Sequence, residues 1–386
     1  MNALALDIIG AEILWPDGTL DAGRVSMADG VLHSNPVGRA LDASGFLLLP
    51  GMVDCHGDGF ELNLAPRRGA MPDMAEGVVA TERQLAGNGI TTAVMAQFYS
   101  WEGGLRGPDH ARRVFQAMQG AQPLVATDLI AQLRFETHML EDYARLPALM
   151  REWGISYLVF NDHLPHQRLA EGRTPPRLTG QALKAGRNPE AHLAMLQDMH
   201  ARRAEVPAAL DALCAELAGW GDLKLGSHDD ATPETRATWR ARGARIAEFP
   251  ETLEAAEAAC VAGDSVIMGA PNVVRGSSHK RNVAARDLIA AGLCHALASD
   301  YHYPSLRRAV RSLVEAGICD FPRAWHLVST GPADVLGLSD RGRITPGVRA
   351  DLVLVDRATE QVSAVLAGGA VSYLSGEMGK RLLEAA

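Results

Sequence analysis

The alternation of short β-branched runs with longer helical patterns is the feature that most constrains the fold of this chain. Between residues 47 and 338 we predict eight strands, each followed by a helical pattern. This alternation is typical of parallel strands joined by crossover helices, and eight repeats predict an α/β fold, the (β/α)8 TIM barrel. The predicted strands are Leu48–Val53, Thr91–Ala96, Leu129–Glu136, Ile155–Asn161, Leu223–His228, Arg245–Phe249, Ser265–Met268 and Ala296–Asp300.

The two ends of the chain lack helical patterns. Short β-like runs such as Asp7–Trp15 and Asp351–Asp356 are separated by turn residues, for example Pro16-Asp17-Gly18. We expect residues 1–50 and 340–386 to pair into a small, discontinuous β-sandwich domain. Residues 51–339 then form the barrel domain.

Composition excludes several classes of protein. Among 386 residues, 37 Lys and Arg stand against 46 Asp and Glu, and the net charge of −9 argues against binding nucleic acid through a basic face. No apolar run reaches the ~18 residues that span a bilayer, and the N-terminus does not resemble a signal peptide. The five cysteines include no Cys-x-x-Cys pair, which is typical of a reduced compartment. We expect a cytoplasmic protein without a membrane partner, and homo-oligomer formation stays open.

Ionisable side chains gather where the predicted barrel strands end. Because a barrel enzyme builds its active site at the carboxyl ends of its strands, carboxylates and imidazoles from at least five strands predict a divalent-metal site. Imidazole and carboxylate ligands suit Zn²⁺, Mn²⁺ or Fe²⁺. The strand-end residues are His56 and Asp58, Glu136 and His138, Asp162 and His163, His228 to Asp230, Glu248, and Asp300 to His302.

Two basic loops belong to the same predicted barrel face. The segment after strand seven, Met268–Lys280, combines glycine and serine with Arg275, His279 and Lys280. Barrel enzymes often bind phosphate at this position through backbone N–H groups and fixed positive charge. The first loop adds Arg67 and Arg68. In an acidic protein these loops predict an anionic substrate, although a basic loop can also be merely solvated.

Longer motifs resemble a known superfamily. Leu48–His56 resembles the first-strand signature of the amidohydrolase superfamily, and Gly342–Val353 resembles its return to the small β domain. A narrower match involves His56-x-Asp58, Ser227–Thr232 and Met268–Asn272. These segments are similar to the PhnM-type triphosphate diphosphatases of the bacterial carbon–phosphorus lyase pathway.

The resemblance implies an activity and a set of roles. That family hydrolyses α-D-ribose 1-methylphosphonate 5-triphosphate to the 5-phosphate and diphosphate, so a metal-dependent phosphoanhydride hydrolase with one or two divalent ions is expected. The expected metal ligands are His56, Asp58, Glu136, His163, His228 and Asp300. Asp300 is also the expected catalytic proton acceptor. The expected substrate-binding residues are Arg67, Asn272, Arg275, His279 and Lys280. Glu248 is either a ligand or a support for one.

The first motif departs from that family and keeps other functions open. The family commonly has His-Thr-Asp-Asn followed by an acidic residue and lysine, whereas this chain has Gly59 and Leu62 in place of the asparagine and lysine. The alternative enzyme is a hydrolase of an amide, lactam or amidine C–N bond. A non-catalytic scaffold is a third hypothesis, which the buried carboxylates disfavour because burying them without a metal is costly.

Overall fold

The computed structural model of the chain describes residues 3–66, 73–276 and 282–384. Contacts divide the chain into two compact units. The first unit draws on Met1–Met95, Gly120–Ile130 and Ser265–Ala386, and the second on Ala96–Gln119 and Ala131–Asp264. The predicted domain boundaries after residues 50 and 339 group the residues differently and stay a prediction.

The strands form two sheets. In chain order the strands are β1 (Leu6–Leu14), β2 (Leu20–Ala28), β3 (Val31–His33), β4 (Ala40–Asp42), β5 (Phe46–Pro50), β6 (Met52–Gly57), β7 (Ile90–Tyr99), β8 (Asp128–Glu136), β9 (Tyr157–Asn161), β10 (Lys224–His228), β11 (Ile246–Glu248), β12 (Ser265–Gly269), β13 (Ala296–Ala298), β14 (Leu352–Asp356), β15 (Val362–Ala367) and β16 (Ala370–Leu374).

Both chain ends build the first sheet, as predicted. Its order is β16-β15-β14-β5-β1-β2-β3, with β4 beside β1. The two ends meet where β14 runs antiparallel to β5, so that Val353 lies opposite Leu49. Alternate side chains such as Leu48, Leu352 and Leu354 are buried in one apolar cluster. This cluster explains the period-two pattern of the terminal sequences.

The second sheet contains β6 to β13 in chain order. Neighbouring strands with described pairing are parallel, and helices follow the strands along the chain. Its outermost strands approach each other at their carboxyl ends, where Gly57 and Asp300 form a parallel bridge. The predicted (β/α)8 barrel is therefore confirmed.

The first predicted barrel strand is really two strands. The apolar run Leu48–Val53 is interrupted at Gly51, where the chain leaves β5 of the terminal sheet and enters β6 of the barrel. The backbone passes so close to Thr91 that a Cβ atom on residue 51 would lie 2.3 Å from its Oγ1. Only glycine fits this approach. A continuous apolar run gives no sign of the change of sheet.

The helices are α1 (Glu61–Leu64), α2 (Met74–Gly87), α3 (Pro108–Ala121), α4 (Leu146–Trp153), α5 (His166–Ala170), α6 (Leu178–Lys184), α7 (Pro189–Ala201), α8 (Val206–Leu217), α9 (Pro233–Ala241), α10 (Leu253–Val261), α11 (Ala270–Arg275), α12 (Ala285–Ala290), α13 (Ser305–Glu315), α14 (Phe321–His326), α15 (Thr330–Leu336) and α16 (Gly376–Glu384). The helical pattern between the fourth and fifth predicted strands, over residues 189–220, is divided into α7 and α8 by the 3-10 turn Arg202–Glu205. In the described ranges, every helix falls short of the length and apolarity that a bilayer crossing requires.

A buried ion network holds α9 in the second unit. The Arg236 guanidinium, with 1% of its side chain exposed, lies 2.9 Å from Asp230 and 3.5 Å from Asp264. It also donates to Ser227 at 2.7 Å and to the carbonyl oxygen of Ala244. Removing a cation from such a site leaves buried carboxylates without compensation, which is strongly destabilising.

We expect Arg236→Met to lower the free energy of unfolding by about 3–5 kcal/mol, because the carboxylates lose their buried partner. Arg245→Met is the matched control, since Arg245 also faces Asp264, at 3.6 Å, but is 58% exposed. The Arg245→Met substitution is expected to lower the free energy of unfolding by about 1 kcal/mol or less. Urea unfolding followed by circular dichroism measures both. Equal losses in the two variants would contradict a special role for the buried network.

Candidate active site

The main chain places three of the predicted metal ligands next to one another in the first unit. His56 and Asp58 flank the end of β6, and Asp300 follows β13. The N–H of Asp300 donates to the carbonyl oxygen of His56 at 3.0 Å, and the N–H of Asp58 donates to that of Asp300 at 2.8 Å. Asp300 adopts a φ of 57°, in the left-handed region that few non-glycine residues occupy. The backbone thus fixes these residues side by side.

Asp54 ties the same two strands together below these ligands. Its carboxylate, which is fully buried, accepts the Ser299 hydroxyl at 2.5 Å and the Ser299 N–H at 2.9 Å. Burial raises the pKa of Asp54 to about 6, although the hydrogen bonds from Ser299 oppose this shift. Because Ser299 precedes Asp300, Asp54 positions the last strand of the barrel against the first.

The second unit contains another donor group around Glu136, which ends β8. The buried Glu136 carboxylate lies 2.5 Å from Nδ1 of His163 and accepts the N–H of His163 at 3.1 Å. Burial opposes the charged imidazolium, but the hydrogen bond with Glu136 raises the pKa of His163 overall. Glu102 offers a third ligand atom within 4.8 Å of those of Glu136 and His163. This geometry suits a divalent cation, which would offset the buried carboxylate charge as the imidazolium proton does.

His228, at the end of β10, is held by a carboxylate on the neighbouring strand. Its Nδ1 lies 3.1 Å from Glu248, and its Nε2 lies 3.0 Å from the guanidinium of Arg134. Burial, together with Arg134, lowers the pKa of His228 to about 4. The neutral ring therefore carries its proton on Nδ1, towards Glu248, and its Nε2 lone pair accepts a hydrogen bond from Arg134. The same tautomer ligates metals, but a metal at Nε2 would require the Arg134 guanidinium to move away.

Glu248 has the contacts of an orienting residue. One carboxylate oxygen accepts the Gln132 amide at 2.7 Å and the Tyr157 hydroxyl at 2.6 Å, while the other faces His228. Carboxylates that bind the second nitrogen of a metal-ligating histidine fix its tautomer and ring orientation. Of the two roles that the sequence left open for Glu248, the geometry supports this one.

Two of the predicted substrate-binding residues lie in the described chain. Arg275, at the end of α11, donates from Nη1 to the hydroxyl of Tyr301 at 3.1 Å. The side-chain oxygen of Asn272 accepts the N–H of Ala285 at 3.0 Å and so anchors the start of α12. The other three, Arg67, His279 and Lys280, lie outside the described residues.

Glu102 and Arg134 were not among the residues predicted from the sequence. Glu102 follows the second barrel strand by three residues, so the strand-end rule identifies it once that strand is included. Arg134 lies two residues before Glu136 in β8, and the alternation of a strand places both on one face. Its guanidinium stacks on Phe98, 3.9 Å from the ring centroid.

No family model matches the chain. A curated relative, the alpha-D-ribose 1-methylphosphonate 5-triphosphate diphosphatase of Escherichia coli (strain K12), is 32% identical over 339 residues, which cover 84% of this chain and 87% of the relative.

Several solved structures share the fold. An amidohydrolase superposes with a TM-score of 0.67 at 15% identity, covering 97% of this chain and all of that one. An atrazine chlorohydrolase mutant from Arthrobacter aurescens TC1, complexed with zinc and atraton, gives 0.61 at 12% identity over 98% and 99% of the two chains. The N-acetylglucosamine-6-phosphate deacetylase of Pasteurella multocida gives 0.60 at 10% identity over 95% and 99%. The chain therefore belongs to the PhnM-type family, that of the Escherichia coli diphosphatase, is a hydrolase, and has the fold of the solved amidohydrolase.

Proposed function

We propose that this hydrolase cleaves α-D-ribose 1-methylphosphonate 5-triphosphate to the 5-phosphate and diphosphate with the help of divalent metal. The observation that carries the proposal is the buried Glu136 carboxylate paired with His163 at the end of a barrel strand. A buried carboxylate, an imidazole and the nearby Glu102 form a donor group for a cation. The substrate itself rests on the relationship to the Escherichia coli diphosphatase.

One or two ions, Zn²⁺, Mn²⁺ or Fe²⁺, are proposed as the cofactor. The proposed ligands are those expected from the sequence: His56, Asp58 and Asp300 in the first unit, and Glu136, His163 and His228 in the second. The zinc in the related chlorohydrolase fold supports this assignment by analogy. A bound divalent ion supplies charge stabilisation for phosphoryl oxygens and lowers the pKa of a water molecule.

The side chains of this protein provide proton transfer and charge neutralisation. The Asp300 carboxylate accepts a proton from the attacking water and returns it to the departing group. The water oxygen bonds to phosphorus while the anhydride P–O bond breaks, so that diphosphate leaves. Arg275 neutralises charge on the phosphates, and its hydrogen bond to Tyr301 limits its rotamers.

Phosphorus NMR of the metal-loaded protein with α-D-ribose 1-methylphosphonate 5-triphosphate in ¹⁸O-labelled water tests the reaction. We expect diphosphate release, with label in one phosphorus product that identifies the phosphorus attacked. Asp300→Asn is expected to lower turnover by about 10²-fold or more, since it removes the proton acceptor, while most of the metal remains bound.

Asp109→Asn provides the control, because its side chain is 94% exposed. Metal content is measured on the same samples. Full activity of the Asp300 variant would exclude its proton-transfer role. An unchanged spectrum from metal-loaded wild-type protein would overturn the proposed substrate and favour the C–N hydrolase alternative.

Glu248→Gln tests the orientation of His228. The amide cannot hold the Nδ1 proton as the carboxylate does, so we expect metal affinity or turnover to fall by about 10–100-fold. Glu254→Gln, an exposed glutamate of α10, is the matched control. Competition with a chromophoric chelator measures the affinity. Unaltered affinity and turnover in the Glu248 variant would show that His228 needs no support from this carboxylate.

Arg275→Ala tests the anionic site. The loss of a charged hydrogen-bond donor to phosphate is worth about 1.5–3 kcal/mol, so KM for the triphosphate should rise about 10–100-fold with a smaller change in kcat. Arg112→Ala, on the exposed surface of α3, should leave KM unchanged. Steady-state kinetics with diphosphate detection provides both constants. An unchanged KM in the Arg275 variant would remove this residue from the substrate site.

A further inference from the structure

A second cluster of ligand atoms lies in the second unit, apart from the residues assigned above. His138 follows β8 by two residues, Asp162 directly follows β9, and His166 begins α5. His200, near the end of α7, contacts this group from behind. We call these four residues the His138 cluster. It shares no residue with the Glu136 and His163 donor group.

The distances within the cluster match those around a small metal ion. Nε2 of His138 lies 3.1 Å from Nε2 of His166 and 3.4 Å from Oδ2 of Asp162. Nε2 of His166 lies 3.1 Å from the same Oδ2. Ligand atoms at about 2.0–2.1 Å from a tetrahedral Zn²⁺ ion are about 3.3 Å from one another. The three atoms therefore form a triangle of the right size.

Hydrogen bonding alone leaves this triangle poorly satisfied. Each Nε2 can donate to the Asp162 carboxylate, but two N–H groups then face each other at 3.1 Å. If one Nε2 is instead deprotonated, it can accept a hydrogen bond from the Nε2–H of the other ring. It then no longer donates to the Asp162 carboxylate, so one hydrogen bond to that carboxylate is lost. A divalent cation at the centre satisfies the lone pairs of both rings and the carboxylate charge together.

His200 is placed to orient one of the ligands. Its Nδ1 lies 2.9 Å from Nδ1 of His166. A neutral His200 ring can accept a hydrogen bond at this nitrogen. When His166 donates its Nδ1 proton to His200, its Nε2 lone pair points at His138 and Asp162. Histidine ligands of metals are commonly held in this way through their second nitrogen.

The cluster is buried on one side and exposed on the other. The His138 side chain is 3% exposed, whereas those of Asp162 and His166 are 42% and 33% exposed. An ion therefore reaches the ligands from solvent and retains water at its open coordination positions. Three protein ligands with open positions resemble a catalytic rather than a closed structural metal site.

We propose that His138, Asp162 and His166 bind an additional divalent transition-metal ion of the Zn²⁺ class, separate from the catalytic metal, with His200 as the positioning residue for His166. The site is independent of the catalytic assignment: its ligands differ from those proposed for phosphoanhydride hydrolysis. It would hold its ion whether or not the proposed substrate is correct.

Cobalt binding by the chelator-treated, full-length protein tests the proposal. Co²⁺ is titrated while visible absorption is followed, and the equivalents bound are measured by elemental analysis after desalting. We expect His166→Ala to bind one equivalent fewer than the wild type. His33→Ala, which removes an exposed histidine of the terminal sheet, should keep the wild-type number. Glu136→Gln should retain the equivalent that His166→Ala loses, because the two sites use different ligands.

Asp162→Asn keeps the test open should His166→Ala fold poorly, since the Asp162 side chain lies partly in solvent. Thermal unfolding of the metal-free variants identifies folding failure. Equal Co²⁺ stoichiometry and affinity in the wild type and in a folded cluster variant would overturn the proposal. So would a variant that loses binding of inorganic phosphate but keeps all of its Co²⁺, because the cluster would then be an anion site.

Discussion

The backbone pairing between the first and last barrel strands is the constraint on which the first unit depends. His56 and Asp58 exchange hydrogen bonds with Asp300 through main-chain atoms, so the positions of three proposed ligands are set before any side-chain rotamer is chosen. Asp54 adds a buried link to Ser299. The left-handed conformation of Asp300 is tolerable because this pairing holds it from both directions. The hydrogen bonds that pair the first and last barrel strands therefore also set the positions of these three proposed ligands.

Pairing of a histidine with a carboxylate recurs in the second unit, with different protonation in each case. Glu136 raises the pKa of His163 through a short hydrogen bond, whereas burial and Arg134 lower that of His228 despite its contact with Glu248. Arg134 lowers the pKa of both rings; at His163 the hydrogen bond and the charge of Glu136 outweigh burial, whereas at the fully buried His228 burial prevails over Glu248. The same pair of residue types thus favours the protonated ring at His163 and the neutral ring at His228. Residue type alone does not reveal which ring does which.

The parts predicted from the sequence are those with a regular repeat. Period-two burial identified the terminal sheet, and the strand-end rule found Glu136 and His163, which the structure joins. The failures have local causes. Gly51 separates two strands inside one apolar run, since only the approach of Thr91 requires a glycine there. His200 is not among the residues predicted from the sequence, because its partner His166 lies 34 positions away and no local pattern connects them.

The departure at Gly59 has a physical basis in the same part of the fold. A Cβ atom on residue 59 would lie 3.2 Å from the carbonyl oxygen of Tyr301, so an asparagine here requires the loop after β13 to shift. In this chain that loop instead brings the Tyr301 hydroxyl to Arg275. The loss of one polar side chain and the presence of a tyrosine–arginine contact are therefore linked by the position of one backbone segment. Introducing asparagine alone would disturb that contact, so the two positions have to be varied together when substrate specificity is compared between relatives.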